Sequence, residues 1–311
     1  MTFRDVLVIC TRNRPLDLER CLNSVTKLSE IPATVFVVDS STDQFSKRLT
    51  EEFARNMVGT VVNYIRSDQR GLVMARNVAL ANLPPNADIV HFVDDDTELD
   101  KSYIKEINKI LRADSGCVGA GGVVNEQYSK PSNRLLNLLL LDSDNLGRVL
   151  RSGVNIGSYN SVNPISMEWL PGCSMSFRVD RISGLTFDEK RNIWPLGEDV
   201  DFGLKASSRG TLKHVPTASL IHHLSPTNRD EELTIIFQDV IHRWTLAKDR
   251  LGRVNRLFVF SSTASWITIY LVLALRNLDS NWLKKAFSAA RGLWVSIFRG
   301  GLKASRLHLD K

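Results

Sequence analysis

The chain predicts an α/β fold, a mostly parallel sheet covered by crossover helices, on three observations. Short β-branched runs alternate with helical patterns up to Asp96. Four of those runs are nearly continuous in apolar residues, as strands covered on both faces should be. Polar clusters follow the runs rather than precede them, which puts them at the carboxyl edge of a sheet, where ligands of open α/β folds bind.

The strands read as VLVIC at 6–10, TVFVVD at 34–39, VVNYIR at 61–66 and DIVHFV at 88–93. Between the first two, Leu18, Leu22, Val25 and Leu28 recur at helical spacing behind Pro15, a residue suited to a first helical turn. Phe45, Leu49 and Phe53 mark a second helix, and Leu72, Ala75, Ala79 and Leu83 a third. Tyr103, Ile104, Ile107, Ile110 and Leu111 give a fourth amphipathic face, with Asp100 as its expected cap. Further on, GCVGAGGVV at 116–124 reads as a glycine-broken strand, and 125–166 is a long polar connection without a period. SMSFRV at 174–179 is another strand, and Glu198 and Asp199 open a short helix that Gly210 is expected to close. Two short strands are expected around Pro216, the second being ASLIHH at 218–223.

Three polar groups fall at the carboxyl edge: Thr11, Arg12 and Arg14 after strand one, 39–43 after strand two, and Asp94, Asp95 and Asp96 after strand four. Adjacent carboxylates repel, so three of them at the mouth of a core need a hard divalent metal or a ring of donors. The other reading is a solvated acidic loop leading into the next helix.

At 311 residues the chain can bury a substantial core, and its 43% hydrophobic content is ordinary for a soluble fold. The balance of 40 basic and 34 acidic side chains gives +6. Residues 276–311 hold eight Lys or Arg against two acids, so the first 275 residues are close to neutral. That argues against a nucleic-acid-binding body. Cys10, Cys21, Cys117 and Cys173 are scattered without zinc-like spacing, which fits a reducing compartment. The apolar run at 6–10 is short and is followed at once by Arg12 and Arg14, so no signal peptide is read and a cytoplasmic body is expected.

No phosphate-binding Walker loop, dinucleotide fingerprint or nucleophile elbow is present. Seven segments do match one pattern in order across roughly residues 5 to 230: CTRNRPLDLERCLNSV, VVDSSTD, GLVMARNVAL, VHFVDDD, WLPGCSMSFR, PLGEDVDFGLKASSRG and ASLIHHLSP. Together they resemble family 2 glycosyltransferases of the GT-A fold, which are inverting enzymes that use nucleotide sugars. The resemblance implies a Rossmann-like mixed sheet flanked by helices. It implies a catalytic domain at 1–230, with a nucleotide-sugar half at 1–125 and an acceptor half at 126–230.

By the same resemblance, Thr11 and Asp39 contact the base and ribose of a nucleoside diphosphate sugar, with Arg12 on the same rim. Arg76 supports the nucleotide and the acid motif, a buried ion pair being its competing role. Asp94 and Asp96 form the D-x-D pair that holds Mn²⁺ or Mg²⁺, and Asp95 faces the sugar or a supporting donor. His222 completes the metal shell or is structural, and His223 points to the opposite face of the strand. Asp199 is the candidate base for the acceptor hydroxyl, Glu198 supports the acceptor, and Asp201 is expected to be solvated. A helix start also favours acids, which would explain Glu198 and Asp199 without catalysis. Trp169 and Gly172 floor the acceptor site, unless Trp169 is a core residue.

Residues 231–311 form a separate helical region. Leu233, Ile236, Phe237, Val240, Ile241, Trp244 and Leu251 make a helical stripe. The 19 residues at 257–275 carry no charge but are diluted by Ser and Thr, which predicts a buried or re-entrant helix rather than a full span. Trp282, Leu283, Ala286, Ala290, Leu293, Trp294, Ile297 and Phe298 share a face edged by Lys284, Lys285, Arg291 and Arg299. That reads as an interfacial helix on an anionic membrane surface, or as half of a helix pair covering the catalytic domain.

The sequence therefore predicts a metal-assisted glycosyltransferase, peripheral at the cytosolic membrane face. It would extend a glycan or lipid-linked acceptor in polysaccharide or cell-envelope synthesis. A nucleotidyltransferase is the alternative, but it would show a glycine-rich loop where TRNRP stands; a noncatalytic nucleotide-sugar-binding protein is the other.

Overall fold

The computed structural model describes residues 4–125, 133–158, 161–191, 196–225, 231–249 and 251–299. Lys303, Arg306 and Lys311 of the basic tail lie outside them, as do Pro195 and Pro226 of the quoted motifs. Two compact units are present: one of 1–129, 157–192 and 198–227, the other of 130–156, 193–197 and 228–311. The boundary expected at 230 thus omits 130–156, a stretch read as part of the acceptor half that belongs to the second unit.

The first unit begins β1 (Asp5–Thr11), α1 (Pro15–Val25), β2 (Thr34–Asp39), α2 (Phe45–Asn56), β3 (Val61–Arg66), α3 (Leu72–Ala81) and β4 (Ile89–Asp94). It continues with β5 (Thr97–Leu99), α4 (Tyr103–Ala113) and β6 (Cys117–Asn125). The second unit holds the short α5 (Arg134–Leu138). The first resumes with β7 (Ser166–Met167), β8 (Met175–Arg178), α6 (Val179–Ile182), a 3₁₀ turn at Glu189–Arg191, α7 (Glu198–Ser207) and β9 (Thr211–His222).

One sheet runs β3-β2-β1-β4-β8-β6-β9-β5, with β7 on β9. The first four strands are parallel, and β8 lies antiparallel between β4 and β6. Alternate residues feed two cores. Leu7, Ile9, Val35, Val37, Ile89 and Val93 pack with α1 and α4, while Val6, Val8, Phe36, Val38, Val90 and Phe92 pack with α3 and α7. Register aligns the carboxyl ends: Thr11 pairs with Asp39, Asp39 with Arg66, and Cys10 with Asp94. Because β2 and β3 lie to one side of β1 and β4 to the other, the strand order reverses at β1/β4, the position of a ligand crevice.

Four local expectations change. The third strand is not doubly covered: β3 is the sheet edge, and Val61 is exposed. Around Pro216 there is one strand rather than two, with the β6–β9 register slipping between Gly122–Val215 and Val123–Ser219. Proline has no N–H for the ladder, so a bulge absorbs it. β5 was not read from the sequence; three residues are too few for a periodic signal. Asp100 does not cap α4 directly but accepts from the amide and hydroxyl of Ser102, the residue that precedes the helix. The glycines of β6 have a packing cause. A Cβ at Gly119 would stand 2.7 Å from Ser176 O, and one at Gly121 2.5 Å from Ser174 O.

The second unit is built on α8 (Glu232–Lys248), α9 (Arg256–Asn277) and α10 (Ser280–Phe298). Among the described residues, α9 is the one helix long and apolar enough to cross a membrane by length and composition. Of the expected alternatives, a buried or a re-entrant helix, the buried one is overturned: only 22% of its apolar window is covered. Its buried residues are Val259, Ser262, Thr263 and Ala274, whereas Leu257, Phe260, Leu271, Val272 and Leu275 are exposed. In α10, Ala286, Ser288, Ala289, Gly292, Leu293, Val295 and Ser296 turn inward. The single apolar face expected there is split, because Leu293 is buried while Leu283, Trp294, Ile297 and Phe298 stay exposed. Small residues let the helices approach closely: a Cβ on Gly292 would lie 3.0 Å from Phe237 O and from Val240 Cβ.

Candidate active site

The acid triplet begins at the end of β4 and fills the turn into β5. Asp94 is the last residue of β4, and β5 pairs antiparallel with β9, setting Thr97 opposite His222. This pairing brings a residue 126 positions downstream to the acids. His222 Nε2 lies 3.1 Å from Asp96 Oδ1, and the Ser225 amide donates to Asp96 Oδ2 at 2.9 Å. Burial opposes ionisation of Asp96, but the His222 contact and the Ser225 amide prevail and hold it down to about 2. His223 turns away, its Nε2 3.3 Å from Glu98.

Asp95 is the supported member. It is buried, accepts from Thr11 Oγ1 at 2.8 Å and from Arg14 Nη1 at 3.2 Å, and burial pushes it up to about 7 against both donors. Arg14 also lies 3.7 Å from Asp96. Of the expected roles of Asp95, the structure shows contact with supporting donors. Thr11, expected to contact the nucleoside, donates its hydroxyl to Asp95.

Asp39 is buried at the β2 end, where it accepts from the Ser41 amide at 2.7 Å and from Tyr64 Oη at 2.8 Å. The loops after β1 and β2 are laced together: Asn13 N donates to Ser41 Oγ at 2.8 Å, and Thr42 N to Asn13 Oδ1 at 2.9 Å. Asn13 adopts φ +53°, a left-handed conformation that asparagine tolerates. Arg12 stands at this rim near Arg70, and burial and the second cation both lower its proton affinity.

Arg76, buried on α3, joins the two halves of the rim. Nη1 donates to Glu198 Oε1 at 2.7 Å, and Nη2 donates to Asp94 Oδ1 at 3.1 Å and to Gly172 O at 2.9 Å. Burial opposes its charge, but Glu198 and Asp94 outweigh burial and raise its pKa. Gly172 is glycine for this approach: a Cβ there would lie 3.1 Å from Arg76 Nη2 and 3.3 Å from Glu198 Oε1. The Gly172 amide donates to Asp199 Oδ2 at 2.9 Å, and the Val200 amide to Asp199 Oδ1 at 2.8 Å. Burial, and next the Asp199 charge, push Glu198 up to about 7; burial likewise raises Asp199.

Three acceptor-side expectations change. Glu198 is buried against Arg76 and so positions that cation instead of an acceptor. Asp201 is not solvated: it is buried, 3.5 Å from Arg191 Nη2 and 2.5 Å from Lys205 Nζ, a partner one helical turn away. Trp169 is 3% exposed, with its backbone against Gly203, and so offers no open ring face.

Sequence reasoning placed Arg14 at the rim without a role and missed two neighbours. Tyr64 reads as an ordinary strand aromatic. Cys173, without a cysteine partner in its motif, gives one donor atom to a group with Asp94 and His222, all within 4.8 Å of one another.

Residues 6–160 match the model of glycosyl transferase family 2. The chain belongs to that family. No curated protein matches it significantly in sequence. Among solved structures, this family 2 glycosyltransferase resembles a mannosyltransferase from Pyrobaculum calidifontis in complex with GDP-Man and Mn²⁺. The identity is 15% and the TM-score 0.60, over 96% of this chain and 88% of that one. It also resembles S. aureus TarS in complex with UDP, at 18% identity and TM-score 0.53 over 98% and 87% of the two chains. GalNAc-T7 with UDP, GalNAc and Mn²⁺ aligns at 15% identity and TM-score 0.59, over 80% of this chain but 50% of that one. Likeness at such low identity carries the GT-A fold and nothing finer. The family and the fold together make the chain a glycosyltransferase.

Proposed function

We propose that the enzyme performs an inverting, metal-assisted transfer of a sugar from a nucleoside diphosphate sugar to a hydroxyl of a glycan or lipid-linked acceptor, with Asp199 as the base. The observation that carries this reading is the link from the acid triplet through Arg76 and Gly172 to Asp199. Placing the metal-side acids and a proton-accepting carboxylate on one rim is what a single-displacement transfer requires.

The residues fit a divalent cation. Two cis ligands of an octahedral Mg²⁺ or Mn²⁺ at about 2.1 Å stand roughly 3.0 Å apart, and Asp96 Oδ1 and His222 Nε2 are 3.1 Å apart. These two and Asp94 would hold the ion, and the resembling structures named with Mn²⁺ support that choice. When bound, it neutralises charge developing on the departing diphosphate.

The chain's own residues do the rest. Thr11 and Arg14 fix Asp95 beneath the acids, and Asp39 with Tyr64 forms the nucleoside edge. Arg12 and Arg70 add positive charge near the diphosphate. Arg76 keeps the buried Glu198 and the partly exposed Asp94 compensated, so that neither perturbs the site as a bare anion. Asp199 accepts the proton of the acceptor hydroxyl as that oxygen attacks the anomeric carbon opposite the diphosphate. Burial places its affinity above the ordinary carboxylate range and nearer the working pH, as a base needs. Incubating the full chain with a panel of nucleotide sugars and acceptors, with Mn²⁺ or EDTA, tests this reading. Metal-dependent diphosphate release that Asp199→Asn abolishes is expected; metal-independent release, or an active mutant, refutes it.

The membrane assignment rests on α9 and α10. Both turn small and hydroxyl side chains inward and large apolar ones outward, the reverse of a helix bathed in water. Lys284, Arg291 and Arg299 edge the exposed apolar side of α10, which suits anionic headgroups at the cytosolic face.

A further inference from the structure

We propose that Asp94, Cys173 and His222 form a site for a borderline-soft divalent cation, with Zn²⁺ as its type ion, that overlaps the catalytic metal position and blocks it. This inference rests on the reading of the acid rim as cation-binding; what is new is the sulfur and the competition it creates.

One donor atom from each residue lies within 4.8 Å of the other two. The set is an oxygen, a sulfur and an imidazole nitrogen, the mixture that Zn²⁺ accepts and that hard Mg²⁺ does not seek. Three separate elements bring it together: Asp94 ends β4, Cys173 lies just before β8, and His222 ends β9. The sheet fixes their spacing, because β8 pairs with β4, and β9 with the β5 strand that follows the acids.

The three donors differ in exposure. Asp94 and His222 keep 25% and 14% of their side chains exposed, while Cys173 is 5% exposed. An arriving ion therefore meets carboxylate and imidazole first and the sulfur last. Arg76 occupies Asp94 Oδ1, which leaves the second carboxylate oxygen for an ion. The thiol gives up its proton to solvent as the sulfur ligates, since the thiolate is the ligand.

His222 makes the two ions exclusive. It faces Asp96 at 3.1 Å and also belongs to the group with Cys173. Both ligand sets draw on Asp94 and His222, and two divalent cations held at such a separation repel strongly. Zn²⁺ held through Cys173 therefore inhibits the enzyme by displacing Mn²⁺ or Mg²⁺.

Co²⁺ serves as the spectroscopic probe. Added to the EDTA-treated full chain, it should produce a sulfur-to-cobalt charge-transfer absorption in the near ultraviolet, which Zn²⁺ then removes. Cys173→Ser and Cys173→Ala should both lack that absorption and lose Zn²⁺ affinity by about tenfold or more, while Mn²⁺ binding followed by electron paramagnetic resonance persists. Asp96→Asn should weaken Mn²⁺ and keep the charge-transfer band. Absence of the band in the unmodified protein, or its survival in both cysteine variants, overturns the inference. If Mn²⁺ also fails to bind the unmodified protein, the catalytic-metal reading falls with it; Mn²⁺ binding without a thiolate band removes the sulfur site alone.

Discussion

The sheet unit and the helical unit obey the same rule of burial in opposite directions. In the first, apolar residues such as Leu7, Val37 and Phe92 are buried, and the charges that stay inside are matched: Arg76 against Glu198 and Asp94, Asp95 against Thr11 and Arg14. In the second, Ser262, Thr263, Ala289 and Gly292 line the helix contacts, and Leu275, Phe287 and Phe298 are exposed. The difference matches the proposed surroundings: water outside the first unit drives apolar groups in, whereas hydrocarbon outside the second would leave close packing of small residues to join its helices.

The strongest way to break this contrast is at Asp199. Asp199→Asn should cut turnover by about 10²- to 10⁴-fold, with the fold intact by circular dichroism and vesicle binding unchanged. A loss of both activity and vesicle binding would mean that the two units do not divide the labour.

Arg76→Ala comes next. It strands Glu198 in a buried setting and leaves the partly exposed Asp94 without its cation, and about 3–5 kcal/mol of stability should go with it, read as a lower denaturation midpoint. Adding Asp94→Asn and Glu198→Gln should recover part of that loss, because the uncompensated charges are then gone.

A smaller effect is expected at the other unit. Phe287→Ser with Phe298→Ser should weaken flotation with anionic vesicles by about 1.5–3 kcal/mol per ring and shift unfolding by no more than about 0.5 kcal/mol. Equal losses in both assays would show that these rings pack on protein.

The subtlest test is pH. A base must be unprotonated, and burial raises Asp199 above the ordinary carboxylate range. Turnover should therefore fall as pH drops, and should begin to fall above the pH at which an exposed carboxylate would titrate. A profile flat down to pH 5 would remove the raised carboxylate from the mechanism.

The four parallel strands, the amphipathic helices and the acid triplet were legible because period and composition are local properties. The pairing of β5 with β9 was not legible, since no local signal says which strand edge a three-residue segment will meet. Trp169 and Asp201 illustrate the same limit. An aromatic can face a sugar or a core, and a helix-start acid can face water or Arg191; burial settles each case.

What the sequence alone determined is the order of the chemistry: strands ending in polar loops, Asp94 to Asp96 at one of them, Glu198 and Asp199 at a helix start, and a charge-free helix near the end. Only the tertiary structure decided which of these groups meet. Arg76 became the link between Asp94 and Glu198, His222 the partner of Asp96, and Cys173 a neighbour of both Asp94 and His222. Contacts across 96 or 126 positions arise from sheet register and closure, which depend on the whole chain and not on any segment of it.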